Sequence, residues 1–82
     1  LSMAIRVVFL GPLRDVAGGD ERDLDGPLDW DGLVDALGDA FLWHLHSARV
    51  RIAVNGIVLA NKEALAVCDG DEIALLPPVS GG

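Results

Sequence analysis

Few groups in this chain of 82 residues are placed to do chemistry. His44 and His46 are two apart in a stretch that reads as helix. They sit roughly 200° apart around its axis, so they do not converge on one metal and read as solvent-facing polar residues. Cys68, the single cysteine, has Asp69 and Asp71 beside it. Acids hold a thiol protonated, the opposite of what a nucleophilic cysteine needs. Gly18-Gly19 lacks both the spacing and the lysine of a phosphate-binding loop. What remains is the end of the sequence, Pro77-Pro78-Val79-Ser80-Gly81-Gly82. Proline fixes φ and favours an extended path, so Pro77-Pro78 stops a strand and projects the last residues outward. Gly81 and Gly82 have no side chains, which lets a backbone thread a narrow channel. The group carried at the tip is the α-carboxylate of Gly82.

The plain alternative for two terminal glycines is a mobile end. Context argues against it. Asp69-Gly70-Asp71-Glu72-Ile73-Ala74-Leu75-Leu76 precedes the prolines. A turn, a short apolar strand, a stiff exit and Gly-Gly make an ordered series, suited to delivering the chain's own terminus into another protein. Leu76, Pro77, Pro78, Val79 and Ser80 are the candidate partner contacts, because apolar residues beside a free tip are left partly exposed without one. Extended chain covers at most about 3.3–3.6 Å per residue, so Pro77 to Gly82 reaches on the order of 20 Å and the domain must dock close to its target.

One small domain is all this length supports. A hydrophobic content of 51% is enough for a core without disulfides or metals, and one cysteine points to a reducing compartment. We expect a cytoplasmic protein: no apolar run approaches the roughly 20 residues of a membrane span, and no signal-peptide pattern opens the chain. Leu1-Ser2 reads as a remnant of an expression vector ahead of Met3, which divides the sequence into 1–2, a domain over 3–76 and a tail over 77–82. Net charge is −7, and nine of the thirteen acids fall between Asp15 and Asp39. That balance excludes nucleic acid, which needs clustered Lys and Arg, and is compatible with a basic protein partner.

The elements that position the tail are read from pattern. Ala4 to Leu10 is a β-branched strand with Ile5, Val7 and Phe9 on one face. Gly11-Pro12 ends it, Leu13 to Ala17 makes one helical turn, and Glu21 to Leu24 reads as a charged edge strand. Asp29 or Asp31 caps a helix whose stripe runs through Trp30, Leu33, Val34, Leu37, Phe41 and Leu45, with a kink or stop at Gly38. Val50, Ile52 and Val54 alternate with Arg49, Arg51 and Ala53 as a half-buried strand. Asn55-Gly56 closes a hairpin with Ile57-Val58-Leu59. Asn61 to Val67 is a connection with a short helical turn. The order β, β, α, β, β, β predicts an α+β domain: a mixed sheet of four to five strands packed on one main helix, with the first and last strands side by side and a flexible C-terminal Gly-Gly tail.

Three segments carry a resemblance to a known family: Ile5-Arg6-Val7-Val8-Phe9-Leu10, Ala53-Val54-Asn55-Gly56, and Asp69 to Gly82. The chain resembles the MoaD/ThiS ubiquitin-like sulfur carriers over Met3 to Gly82, above all the small subunit of molybdopterin synthase. The resemblance implies a β-grasp fold and a function. Gly82 is adenylated by a separate ATP-using activating enzyme, and sulfur from a persulfide donor replaces AMP to leave a thiocarboxylate. The tail, Gly81 included, then enters the synthase large subunit, where the sulfur goes to cyclic pyranopterin monophosphate. It further implies a heterotetramer with that large subunit, no cofactor or metal bound by this chain, and no catalysis by this chain on its own. A carrier for thiamine or cysteine synthesis and a ubiquitin-like protein modifier use the same activated carboxylate and stay open.

Overall fold

Ile5, Val7 and Phe9 are buried, with Arg6 exposed and Val8 half-buried between them, so alternation places β1 (Ile5–Phe9) with one face in the core. The computed structural model describes residues 4–78. After β1 come α1 (Leu13–Ala17), β2 (Glu21–Leu24), β3 (Leu28–Asp29), α2 (Trp30–Leu37), α3 (Asp39–His46), β4 (Arg51–Val54), β5 (Ile57–Val58), a 3-10 turn (Lys62–Ala64), β6 (Ala66–Val67) and β7 (Glu72–Leu76).

Five strands form one sheet in the order β2-β1-β7-β4-β5, which puts the last strand in the middle. β1 and β7 run parallel, Val7 opposite Ile73 and Phe9 opposite Leu75. The other pairings are antiparallel. This mixed sheet with its helical layer is the β-grasp arrangement. The polar strand β2 is at one edge, where its exposed charges discourage further strand pairing. Asn55 and Gly56 both take positive φ, 50° and 85°, as the tight turn between β4 and β5 requires.

The helical layer covers the inner face of the sheet. Asp29 caps α2 by accepting from the Gly32 amide at 2.8 Å. The apolar stripe is as expected, with Leu33, Leu37, Phe41 and Leu45 buried against the strands. It is shared between two eight-residue helices, because Gly38 takes φ 82°, ψ −175°, a conformation outside any helix. Phe9 and Phe41 stack across the layers with centroids 5.2 Å apart. Complete burial of such side chains contributes about 1.5–3 kcal/mol each.

Two features go beyond the sequence expectation. Leu28–Asp29 pairs with Ala66–Val67 as a separate two-stranded ladder, which ties the start of α2 to the connection before β7. Ala53, read as the outward member of its pair, is buried, because it sits between Ala74 and Val58 on neighbouring strands.

Candidate functional site

β7 is the strand from which the tail leaves, and its central position fixes the exit point on both sides. Ile73 and Leu75 face the core and are fully buried, while Ala74 and Leu76 lie on the outer face. At the end of the strand Leu76 pairs with Arg51 of β4. Pro77 is half-buried and Pro78 exposed. The ring of Pro77 lies over Gly11, which has φ +56°. Leu76, Pro77 and Pro78 are thus brought together at one end of the sheet. Val79, Ser80, Gly81 and Gly82 fall outside the described residues.

The outer face beside the exit is apolar and low. Val8, Ala74, Ala53 and Val58 lie in register across four strands, β1, β7, β4 and β5. The two central side chains of that row are single methyl groups, so a broad partner surface can approach the backbone closely. Leu10 and Val58 are exposed at its margins.

The turn that launches β7 is held by a polar network. The Asn55 side chain donates to Asp71 Oδ1 at 3.0 Å and accepts from the Glu72 amide at 2.9 Å. The Cys68 amide donates to Asp71 Oδ2 at 2.9 Å. These bonds, that from the Cys68 amide foremost, hold the Asp71 carboxyl below its ordinary range. Asp71 in turn pushes the Cys68 thiol up, with burial and Asp69 adding to it. The shift disfavours the thiolate, the direction its acidic neighbours implied. Asp69 closes a second contact by accepting from the Gly26 amide at 2.8 Å.

The two histidines part company as their spacing predicted. His44 packs edge-on against Phe41 and Trp43, and His46 against Trp30. Among the described residues no group of three His, Cys, Asp or Glu side chains is gathered as a metal ion would need. No helix among them is long and apolar enough to cross a membrane.

Sequence reasoning passed over the loop that borders the exit. The Lys62 ammonium donates to the carbonyls of Ser47 and of Val50, the latter at 2.8 Å, and partial burial lowers its pKa against the opposing pull of Glu63. The Arg49 amide donates to Ser47 Oγ at 3.2 Å. This clamped loop delivers Ala48, Arg49 and Arg51 to a concavity of about 390 Å³ whose other wall is Leu76, Pro77 and Pro78. Alternation could place both arginines on an exposed side, but only the pairing of Arg51 with Leu76 brings them to the tail.

Known proteins agree with this architecture. Over 100% of its length the chain is similar to the solution structure of the small archaeal modifier protein 1 from Methanosarcina acetivorans, with 26% identity, 99% of that chain covered and a TM-score of 0.75. The crystal structure of the same-named protein from Haloferax volcanii matches at 31% identity, 96% and 99% coverage and a TM-score of 0.65. A chain in the complex of subunits 1 and 2 of the molybdopterin-converting factor from Helicobacter pylori 26695 matches at 28% identity, 98% and 100% coverage and a TM-score of 0.64. No curated protein matches the sequence at a significant level. The sequence profile of the ThiS family matches residues 7–82, from the second core position of β1 through both terminal glycines. With its β-grasp sheet and its tail leaving the central strand, the chain belongs to the ThiS family of ubiquitin-like sulfur carriers.

Proposed function

We propose that this chain is the sulfur-carrying small subunit of a molybdopterin synthase, acting in the cytoplasm. The observation that carries the reading is the exit of β7: a central, doubly flanked strand ends at Leu76, and Pro77 is seated on Gly11 beside a flat apolar face. A rigid body with a projecting end is what delivery into a partner's channel requires. A free carboxylate is ionised at neutral pH and is a poor electrophile, so Gly82 is first adenylated by a separate ATP-using enzyme. The outer sulfur of a donor persulfide then displaces AMP to give an acyl disulfide. A second thiol of the sulfur-donating machinery cleaves that S–S bond and is left as a disulfide, and the thiocarboxylate so released is the nucleophile offered to cyclic pyranopterin monophosphate inside the large subunit. In this reading Leu76, Pro77, Pro78, Val79 and Ser80 contact the partner, and acid–base groups and the substrate pocket belong to it. In the same reading ATP is used by the activating enzyme, and no cofactor or metal is required of this chain. Likeness to a subunit from the Helicobacter pylori complex supports a large-subunit partner.

Reconstitution with the activating enzyme, a sulfur donor and the large subunit tests this. Wild type should gain the mass difference between sulfur and oxygen, located on Gly82 by fragmentation, and should support molybdopterin formation. A chain lacking Gly81-Gly82 should fold normally and do neither; activity retained by it sinks the reading. A second reading, a protein modifier amide-linked through Gly82 to lysines of target proteins, is favoured by the match to the small archaeal modifier protein 1. High-mass conjugates in the native host, with Gly82 joined to lysine, would select it.

A further inference from the structure

The chain carries five arginines and one lysine against thirteen acids. Most of these cations are already engaged. Arg6 pairs with Glu21 at 3.9 Å, and Arg14 with Asp20 at 3.9 Å. Arg22 donates to the Ala17 carbonyl and lies over the Phe9 ring, 5.7 Å from its centroid. Lys62 is spent on the Ser47 and Val50 carbonyls. Among the described residues, the guanidinium groups of Arg49 and Arg51 are the two cationic groups with no anion, carbonyl or ring partner. Both border the same concavity, and its opposite wall is the base of the tail, Leu76, Pro77 and Pro78.

A chance distribution of spare cations over an acidic surface does not favour this placement. In a chain of net charge −7 acids outnumber the arginines, and a surface arginine with an acid in reach can pair with it. At the far end of the same outer face Arg6 has done so with Glu21. At the tail end the clamped loop and the start of β4 place two arginines along one concavity with Leu76, Pro77 and Pro78, and no acid among the described residues pairs with either. Guanidinium presents a planar fork of donors suited to carboxylate, and apolar surroundings strengthen that pairing once water is displaced.

We propose that Arg49 and Arg51 form a carboxylate-recognition site at the root of the tail, occupied by Asp or Glu side chains at the channel mouth of the protein that receives the tail. The inference rests on the carrier reading and deepens it, by giving the chemistry of the partner surface at one point. It makes the docking face two-signed: a positive patch where the tail enters, and the acidic helical side, with Asp31, Asp35 and Asp39, elsewhere. A partner with the matching pattern is held in one orientation, and one that is uniformly basic is repelled at the tail root.

Binding of the full-length chain to the purified large subunit of the same organism, measured by titration calorimetry at two ionic strengths, tests the site. Charge reversal in the double variant Arg49→Glu/Arg51→Glu should raise Kd by roughly tenfold or more at low salt and slow association. The double Arg→Lys variant should recover only part of that loss, since it restores the charge but not the fork. Both variants should melt close to wild type, because neither side chain holds another element. The same reversal made in a chain lacking Gly81-Gly82 should weaken binding equally. If the effect vanishes there, the arginines hold this chain's own terminal carboxylate and the proposal is overturned. Unchanged affinity of the reversed full-length chain overturns it too, with the carrier reading left standing. Wild type failing to bind the large subunit brings down both.

Discussion

Pro77 is packed so closely over Gly11 that a Cβ placed on Gly11 would stand 3.1 Å from Pro77 Cγ. Gly11 also has φ +56°, in the left-handed region. The loop after β1 and the residue after β7 therefore share one small space, and the seat of Pro77 depends on the absence of a side chain at Gly11. Gly11→Val should cost about 1–3 kcal/mol from backbone strain, and crowding against Pro77 adds to it. At 4–8 °C per kcal/mol for a domain of this size, a melting point lowered by roughly 5 °C or more is expected. Gly11→Val should also reduce sulfur transfer at protein concentrations where the fold is intact, since the ring it displaces begins the tail. Urea unfolding alongside single-turnover transfer separates the two effects.

Asp71 couples the turn before β7 to acid stability and to thiol reactivity. Its folded pKa lies below the ordinary 3.8 because the Cys68 amide and the Asn55 side chain stabilise the carboxylate. A depressed acid contributes stability that is present above the unfolded value and is lost as pH falls through the folded one. Wild type should therefore lose stability below about pH 4, and Asp71→Asn should flatten that part of the profile. The same substitution removes the largest influence that raises the Cys68 thiol above its ordinary 9.0, so alkylation by iodoacetamide at pH 7 should become severalfold faster. Equal alkylation rates for the two proteins would show that the thiol is not governed by Asp71.

Much of this architecture is legible in particular residues. Ile5, Val7 and Phe9 announce a strand by alternation, Asn55-Gly56 closes a hairpin by its tolerance of positive φ, and Asp29 caps a helix with its own side chain. The ladder of Leu28–Asp29 with Ala66–Val67 is not legible, because two residues carry no period. Neither is the burial of Ala53, which depends on facing Ala74 and Val58 across strand pairs distant in sequence. At the site, Leu76 and the prolines stand out from their order in the chain. Gly11, Arg49 and Arg51 do not, since their importance comes from what the parallel and antiparallel neighbours of β7 bring to its end.

Cys68→Ser should transfer sulfur at close to the wild-type rate. The proposed carrier atom is bonded to the Gly82 carbonyl carbon, and Cys68 lies exposed in the turn before β7, at the opposite end of that strand from the tail. Its side chain makes one weak contact, to Asp71 Oδ2 at 3.7 Å. Serine can donate to the same oxygen, so the melting temperature should move little. Transfer abolished with the fold preserved would place the sulfur on Cys68 as a persulfide.

Gly38 separates two readings of the helical layer by the sign of one substitution. In a continuous helix from Trp30 to His46, Gly38→Ala would stabilise by about 1 kcal/mol, the difference in helix propensity. In the structure Gly38 has φ 82° and ψ −175°, where residues with a Cβ are strongly disfavoured, at a cost on the order of 1–3 kcal/mol. Beyond its two chain neighbours, no atom of the described residues lies within 4 Å of the added methyl, so crowding against other elements does not enter and the result reports on backbone conformation. Leu37 and Phe41 are both buried, on separate helices, with Phe41 reaching the Phe9 ring. A methyl that forced the two helices into one would have to give up part of that packing. Gly38→Ala should therefore lower the urea midpoint with an unchanged denaturant slope. A raised midpoint would mean that the layer is one continuous helix in solution and that the divided stripe is wrong.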